Sequence, residues 1–272
     1  GKKMNNAFEE IISALNIAKT VAVFCHARPD GDALGSGLAL CLALKSKGKT
    51  AHMCCDDAPS EKFSFIPAMK EVKTELPNVE YDLFISVDCA DIMRLGSFAK
   101  KYTKFKGVTV NLDHHVSNGR YGKLNYVQVC PASCEIVTEL FQKAGFEVTE
   151  EIANLLMLGL ITDSGNFTHL DVTERTYGIA AYLRGRGADI YKINYNMFSR
   201  QSKTRAILYG KVMSKMRFKL DDRLALIVIH NEDLPKVGLD MGLTEGFVDF
   251  PLSVDGVEVA VSLMEYKPNR YK

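Results

Sequence analysis

The first two thirds of the sequence alternate short apolar runs, rich in β-branched residues, with longer amphipathic stretches. This alternation is typical of βα units, in which helices connect parallel strands and cover the sheet. The runs predict strands at 20–25, 50–54, 82–87 and 108–112, each mostly apolar, as strands buried on both faces are. A helix is predicted at 33–47, closed by Gly48. We therefore expect an α/β domain with a parallel sheet and helices on both faces.

The last third predicts a smaller second domain. Thr149 and Thr173 each precede a stretch with helical periodicity, and a hydroxyl side chain is a favourable helix cap. The polar segment at 189–205 lacks glycine and predicts a helix that connects two domains. Strands are predicted at 223–230 and 257–264. The predicted organisation is a catalytic domain at 1–188, a connecting helix at 189–205 and a smaller, partial α/β domain at 206–272.

Charge and cysteine content limit the partners and the compartment. With 34 basic and 33 acidic residues, the formal net charge is +1, whereas proteins that bind long nucleic acids carry a basic excess. Long duplex DNA is therefore not expected as a partner. Seven scattered cysteines without a C-x-x-C pair indicate reduced thiols in a cytoplasmic protein. The most apolar stretch, at 152–161, is too short to cross a membrane.

Chemically reactive side chains are concentrated in four separated segments. The first follows the strand at 20–25, the second and third follow the strands at 82–87 and 108–112, and the fourth ends the helical stretch at 155–161. In order, the segments are His26-Ala27-Arg28-Pro29-Asp30-Gly31-Asp32-Ala33-Leu34-Gly35-Ser36, Asp88, Asp113-His114-His115 and Thr162-Asp163-Ser164-Gly165.

Three of these segments stand at the carboxyl ends of predicted parallel strands, where ligands bind in open α/β sheets. A cluster of carboxylates would repel strongly unless cations neutralised it. Imidazole and carboxylate ligands without thiolate suit manganese, magnesium, cobalt or iron better than a closed structural zinc site. Cys25 and Cys89 neighbour the candidate ligands, but adjacent strand residues point to opposite faces, which indicates core thiols.

Four carboxylates, those of Asp30, Asp32, Asp88 and Asp163, would be neutralised by two divalent cations. Two cations about 3.5–4 Å apart can share an activated water and bind a phosphoryl group during an in-line displacement. The activated hydroxide leaves such a site slightly anionic, so a phosphate substrate requires additional cationic groups. His115 and nearby arginines or lysines are the candidates.

The four motifs together resemble those of the DHH phosphoesterase superfamily. The H-x-x-P-D-G-D-A-x-G-S and G-x-x-T-D-S-G forms are most similar to its nanoRNase/pAp phosphatase branch, which comprises oligoribonucleases and 3′-phosphoadenosine 5′-phosphate (pAp) phosphatases. The resemblance extends over about residues 8–264. It implies two divalent cations, with Mn²⁺ as the first choice and Mg²⁺ or Co²⁺ as alternatives.

The resemblance also implies a role for each residue. One metal would be bound by His26, Asp30 and Asp88, and the other by Asp32, His114, Asp163 and the shared Asp88. His115 would contact the scissile phosphate and assist the leaving group, and would thus be catalytic together with Asp88. Asp113 would orient the histidines, as residues behind metal ligands commonly do.

Substrate contacts are less clearly marked in the sequence. Ser36, or the helix amides around it, could face a phosphate, while Gly35 would let the helix pack closely on the sheet. Arg28 and His169 are further candidate substrate contacts. The glycine-rich G-G-G-H segment that the superfamily's second domain, the DHHA1 domain, uses to bind substrate is absent, so residues 206–272 resemble only part of such a domain.

The expected activity is hydrolysis of pAp and of oligoribonucleotides a few units long, and the expected partner is a short RNA or nucleotide. Cleavage of linear or cyclic dinucleotides in signalling, and a pyrophosphatase-like activity, are the enzymatic alternatives. A nucleotide-binding module without catalysis would be expected to lack metal ligands, and all six candidate positions are intact. A homodimer is compatible with the sequence.

Overall fold

The computed structural model describes residues 5–234 and 241–272, which form two compact units, Gly1–Ser199 and Arg200–Lys272. The first unit contains a five-stranded sheet in which every neighbouring pair of strands is parallel. The strands are β1 (Thr20–Phe24), β2 (Thr50–Cys54), β3 (Leu83–Val87), β4 (Val108–Asp113) and β5 (Leu124–Val127), in the order β2-β1-β3-β4-β5. The predicted parallel sheet is confirmed, and the fifth strand is an addition to it.

Helices pack on both faces of this sheet, as predicted. The helices of the unit are α1 (Phe8–Ile17), α2 (Gly31–Ser46), α3 (Ala99–Lys104), α4 (Ser133–Ala144), α5 (Glu150–Asp163), α6 (Glu174–Gly185) and α7 (Ile190–Asn194). Val21 and Val23 of β1 belong to a large core cluster with residues from α1, α2, α4 and α5. Ala22 and Phe24, which alternate with them, belong to a second cluster that includes Tyr102 of α3.

Two glycines of α2 lie at its close contacts with α5 and with the sheet. A Cβ atom at Gly35 would lie 2.3 Å from the carbonyl oxygen of Leu155 in α5, and one at Gly37 would lie 2.3 Å from the Met53 sulfur in β2. The expectation that Gly35 faces the sheet was therefore wrong. Because a helix turns by about 100° per residue, the sheet-facing position falls to Gly37.

The second unit is a smaller α/β unit with a mixed sheet. It contains α8 (Lys203–Met213), β6 (Arg217–Lys219), β7 (Leu224–Ile229), α9 (Asp249–Leu252), β8 (Val259–Lys267) and β9 (Arg270–Tyr271). The strand order is β6-β7-β8-β9; only β7 and β8 pair in parallel. In the ranges that the structure describes, no helix combines the length and apolarity that a membrane span requires.

The segment at 189–205 is not one continuous connecting helix. Helix α7 ends at Asn194, a π-helical turn covers Tyr195–Ser199, and α8 begins at Lys203. The Ser202 side chain accepts a hydrogen bond from the backbone N–H of Arg205 and so caps a new helix. The absence of glycine was an insufficient guide here, because a serine cap starts a helix rather than continuing one.

Candidate metal centre

The six predicted ligands meet at the carboxyl edge of the sheet. His26 follows β1 and Asp88 follows β3 directly, and these strands are neighbours in the sheet. Helix α2 supplies Asp30 as its N-cap and Asp32 in its first turn. Helix α5 supplies Asp163 at its C-terminal end, and His114 follows β4.

The first ligand group consists of His26, Asp30 and Asp88, whose donor atoms all lie within 4.8 Å of one another. His26 Nε2 lies 3.4 Å from Asp30 Oδ2 and 3.4 Å from Asp88 Oδ2. Two ligands of one divalent ion, each about 2.0–2.2 Å from it, stand about 3–3.5 Å apart. These three side chains could therefore bind one ion without large rearrangement.

The second ligand group consists of Asp32, Asp88, His114 and Asp163. His114 Nε2 lies 3.3 Å from Asp88 Oδ1, 3.3 Å from Asp163 Oδ2 and 4.0 Å from Asp32 Oδ2. This group contains one imidazole and three carboxylates, a donor set that suits Mn²⁺ or Mg²⁺.

Asp88 belongs to both groups and directs a different oxygen to each. Its Oδ2 faces His26 and its Oδ1 faces His114. The residue is 1% exposed and has a φ of +49°, a left-handed conformation that costs a non-glycine residue about 1–3 kcal/mol. The chain thus adopts a strained backbone at the point where one carboxylate spans both groups.

Hydrogen bonds on the opposite ring nitrogen orient both histidines. His26 Nδ1 lies 2.9 Å from the Ala27 carbonyl oxygen and His114 Nδ1 lies 2.8 Å from the Cys130 carbonyl oxygen. A proton on Nδ1 can be donated to each carbonyl, which leaves the Nε2 lone pair for a cation. His114 Nε2 is buried and has no hydrogen-bond partner within the described part of the chain. A metal ion would satisfy this atom.

Two helix N-termini hold the carboxylates of the DGD segment in place. Asp32 is fully buried, and its two oxygens accept hydrogen bonds from the backbone N–H groups of Ser133 (2.6 Å) and Cys134 (2.8 Å) at the start of α4. Asp30 Oδ1 accepts bonds from Asp32 N and Ala33 N and caps α2. Its second oxygen, Oδ2, faces His26.

Electrostatics show how strongly the cluster needs positive charge. Burial alone would lower the pKa of His26, but the carboxylates of Asp30 and Asp88 raise it to about 10. Burial would raise the pKa of Asp88, but His114 and His26 hold it at about 2. Burial and the nearby carboxylates raise the pKa of Asp32 well above its usual range. Protons therefore occupy the cluster unless cations replace them.

Asp88, His114 and His115 form a third possible ligand group, in which His115 Nδ1 lies 3.6 Å from Asp88 Oδ1. His115 also pairs with Asp113. Its Nδ1 lies 2.8 Å from Asp113 Oδ1, while Asp113 Oδ2 accepts a 2.6 Å hydrogen bond from the Asn118 amide. The bond to Asp113 is the main cause of a raised pKa for His115. Asp113 thus contacts His115, whereas His114 contacts the Cys130 carbonyl. Asp113 therefore forms a hydrogen bond with one of the two histidines that it was expected to orient.

The three predicted substrate contacts, Ser36, His169 and Arg28, have different surroundings in the structure. Ser36 is fully buried and its hydroxyl donates to the Asp32 carbonyl oxygen inside α2; the expectation that it faces a phosphate was wrong, since its position in the helix turns it inward. His169 packs beside Gly165, where a Cβ atom would lie 2.3 Å from its Nε2. Arg28 lines a cavity beside the ligands.

Sequence reasoning missed the other residues of that cavity, Met93 and Arg94, which line it together with Arg28, His26 and Asp30. They lie in a 3₁₀ segment, Ile92–Phe98, that follows β3. Its signal in the sequence is an arginine six residues after a candidate ligand at a strand end, which is too weak to stand out alone.

Comparison with known proteins places the chain in a family. The N-terminal domain of the DHH family matches residues 20–160. The chain is 31% identical over 244 residues to the bifunctional oligoribonuclease and PAP phosphatase NrnA of Thermus thermophilus, covering 89% of this chain and 70% of that protein. The chain belongs to the DHH family.

Two further comparisons extend over both units. The probable bifunctional oligoribonuclease and PAP phosphatase NrnA of Streptococcus mutans is 26% identical over 272 residues, covering 98% of this chain and 84% of that protein. The crystal structure of an exopolyphosphatase-related protein from Bacteroides fragilis superposes with a TM-score of 0.85 at 25% identity, covering 95% of this chain and 79% of that one. Similarity to known proteins therefore extends beyond the DHH domain into the second unit.

Proposed function

We propose that this protein is a metal-dependent phosphoesterase that hydrolyses pAp and short oligoribonucleotides. It would use two divalent cations, preferably Mn²⁺. One cation would be bound by His26, Asp30 and Asp88, and the other by Asp32, Asp88, His114 and Asp163. Similarity to two proteins named as oligoribonuclease and PAP phosphatase supports the substrate class. The net charge of +1 favours a short substrate over a long polyanion.

The observation that carries the proposal is the position of Asp88. One carboxylate oxygen lies 3.4 Å from His26 Nε2 and the other lies 3.3 Å from His114 Nε2. With one oxygen directed to each of the two ligand groups, Asp88 would hold both cations if they were bound. When bound, such a pair lowers the pKa of a water and stabilises the attacking and leaving oxygens of a phosphate ester.

The residues of the chain have distinct tasks in this reaction. Asp32 and Asp30 are fixed by helix amides, so the ligands do not need to reorganise when substrate binds. His115 is partly exposed, and Asp113 holds its Nδ1 proton and raises its pKa. At neutral pH, His115 can therefore carry a proton on Nε2 and donate it to the leaving oxygen as a general acid.

A substrate panel tests this proposal. The purified chain with Mn²⁺ is expected to release phosphate from pAp and mononucleotides from pApA, and to lose both activities in Asp88→Asn. Asp171→Asn, an exposed carboxylate, is the matched control and should retain them. Faster turnover of cyclic di-AMP or of pyrophosphate than of either nucleotide would contradict the assigned substrate, and turnover of none of them by the unaltered chain would contradict the function.

A further inference from the structure

A cavity of about 430 Å³ lies directly beside the first ligand group. It is lined by His26, Ala27, Arg28, Asp30, Met93 and Arg94. Its volume falls within the range of about 300–1,000 Å³ that is usual for small-molecule sites. Of these residues, the chemistry proposed above uses His26 and Asp30, and it gives the two arginines no role.

The loop that carries Arg28 is fixed by hydrogen bonds. Arg28 has a φ of +54°, a conformation that persists in a bulky residue only where the surroundings impose it. Its backbone N–H donates a 2.7 Å hydrogen bond to Asp57 Oδ2 in the loop after β2. The adjacent Ala27 N–H donates a 2.7 Å bond to the carbonyl oxygen of Arg94. The backbones of the two arginine positions are thus joined directly.

The segment that carries Arg94 is fixed to the same loop. The backbone N–H of Ser97 donates a 3.1 Å hydrogen bond to Asp56 Oδ1. Gly96 has a φ of +61°, and a Cβ atom there would lie 2.3 Å from Asp56 Oδ2. Glycine is required at this position by both the backbone conformation and the close carboxylate. Asp56 and Asp57 therefore act on backbone N–H groups and hold the rim of the cavity together.

Both arginine side chains are accessible to a ligand. Arg28 and Arg94 are exposed, and neither guanidinium has a hydrogen bond or ion pair with any residue that the structure describes. Burial against a carboxylate would have indicated a structural role. Two positive charges on a fixed rim, next to a cluster of carboxylates that itself requires cations, indicate a site for an anion.

We propose that Arg28 and Arg94 bind a second phosphate of the substrate, the one that is not cleaved. Guanidinium groups bind phosphate with two parallel hydrogen bonds and keep their charge at all working pH values. The preferred substrates are then small molecules that carry two phosphates, such as a nucleoside bisphosphate or a 5′-phosphorylated dinucleotide. This inference rests on the proposed function, and it explains how the protein would select among phosphate esters.

The test compares substrates that differ by one phosphate. Values of kcat/KM with Mn²⁺ are measured for pApA and for ApA, which lacks the terminal phosphate, with the unaltered chain, Arg94→Gln and Arg28→Gln. Each substitution is expected to lower kcat/KM for pApA by about 10- to 100-fold, the range for hydrogen bonds to a charged group, mostly through KM. The value for ApA should change by less than about 3-fold. Lys100→Gln, which removes an exposed positive charge from α3, should leave both values unchanged.

Equal losses for pApA and ApA would overturn the proposal, because the arginines would then act on the cleaved phosphate or on the fold. Unchanged kcat/KM for pApA in both variants would also overturn it. Calorimetric binding of pAp and of AMP separates the subsite from the reaction. If pAp binds more tightly than AMP and Arg94→Gln removes this difference in affinity, the proposed phosphate subsite is supported, even if the chain does not hydrolyse pAp or pApA. Failure to hydrolyse them would then count against the proposed function alone.

Discussion

Asp113 lies at the end of β4 with no exposed surface, and each of its oxygens has its own partner, His115 Nδ1 and the Asn118 amide. Replacement by asparagine would keep the shape and remove the charge that holds the His115 proton. We expect kcat of Asp113→Asn to fall by about 100-fold or more, which is the scale of general acid–base catalysis. Bound metal should be unchanged, because Asp113 is not among the proposed ligands.

The pH profile of kcat distinguishes a loss of His115 positioning in Asp113→Asn from misfolding of that variant. Since Asp113 raises the pKa of His115, the alkaline limb of kcat, where the acid loses its proton, should move to lower pH in Asp113→Asn. Metal content by mass spectrometry and the melting temperature serve as controls. A large loss of bound manganese would instead place Asp113 in the metal centre.

Proton release on metal binding follows from the histidine environment. Because the pKa of metal-free His26 is raised to about 10, the ring is protonated at neutral pH and a cation must displace that proton. Apparent Mn²⁺ affinity should therefore rise with pH between about 6 and 8, by up to about tenfold per pH unit for each proton displaced. Calorimetry in buffers of different ionisation enthalpy measures the protons directly, and a pH-independent affinity would contradict this account of the cluster.

At the scale of elements, the contact between α2 and α5 positions Asp32 and Asp163. A Cβ at Gly35 would meet the backbone of Leu155 at 2.3 Å, and a backbone carbonyl cannot move aside as a flexible side chain can. We expect Gly35→Ala to lower the free energy of unfolding by about 1–3 kcal/mol, as other overpacked cores do, and to weaken Mn²⁺ binding.

Gly178→Ala is the matched control for this substitution. Gly178 is also within a helix, α6, but nothing lies within 4 Å of a Cβ built there. The alanine should be neutral or stabilise by up to about 1 kcal/mol, because it favours the helix. Urea unfolding followed by circular dichroism measures both. Equal free energies of unfolding for the two variants would show that α2 and α5 can move apart without loss of stability.

The elements that could be predicted from the sequence are those with a strong local pattern. Strands β1 to β4 are apolar runs, and Thr149 caps α5 as predicted, accepting a hydrogen bond from Ile152 N. Strand β5, Leu124–Val127, alternates buried and half-buried residues over four positions, which is too short a pattern to identify. The Ile92–Phe98 segment has a local cap, because the Asp91 side chain accepts a hydrogen bond from Met93 N. Its contact with Asp56, a residue distant in sequence, has no local signal.

The ligands of the candidate site could be predicted from the sequence, but the groups that hydrogen-bond to them could not. His26, Asp88 and His114 follow apolar strands, and topology brings strand ends together. The Cys130 carbonyl, which orients His114, and the amides of Ser133 and Cys134, which hold Asp32, are backbone groups of an unpredicted helix, α4, and its approach. Backbone donors and acceptors carry no residue-specific signal, so sequence alone could not supply them.

At the scale of the whole molecule, metal binding should stabilise the fold. Ligands on α2 and α5 and after β1, β3 and β4 are brought together only in the folded chain, so a cation that binds them favours it. At a free Mn²⁺ concentration 100 times the dissociation constant, the gain is about 2.7 kcal/mol for one site. Thermal unfolding followed by circular dichroism should show a higher Tm with Mn²⁺ than with a chelator, and no such increase in Asp88→Asn. An increase of equal size in that variant would place the stabilising ion elsewhere.

Metal stoichiometry is the most direct test of the central claim that Asp88 joins two metal sites. Equilibrium dialysis with Mn²⁺, followed by elemental analysis, is expected to give two ions per unaltered chain and per Asp171→Asn chain, and fewer than one per Asp88→Asn chain at the same free metal concentration. Saturation of the unaltered chain at a single ion, or retention of two ions by Asp88→Asn, would contradict a shared carboxylate between two cations.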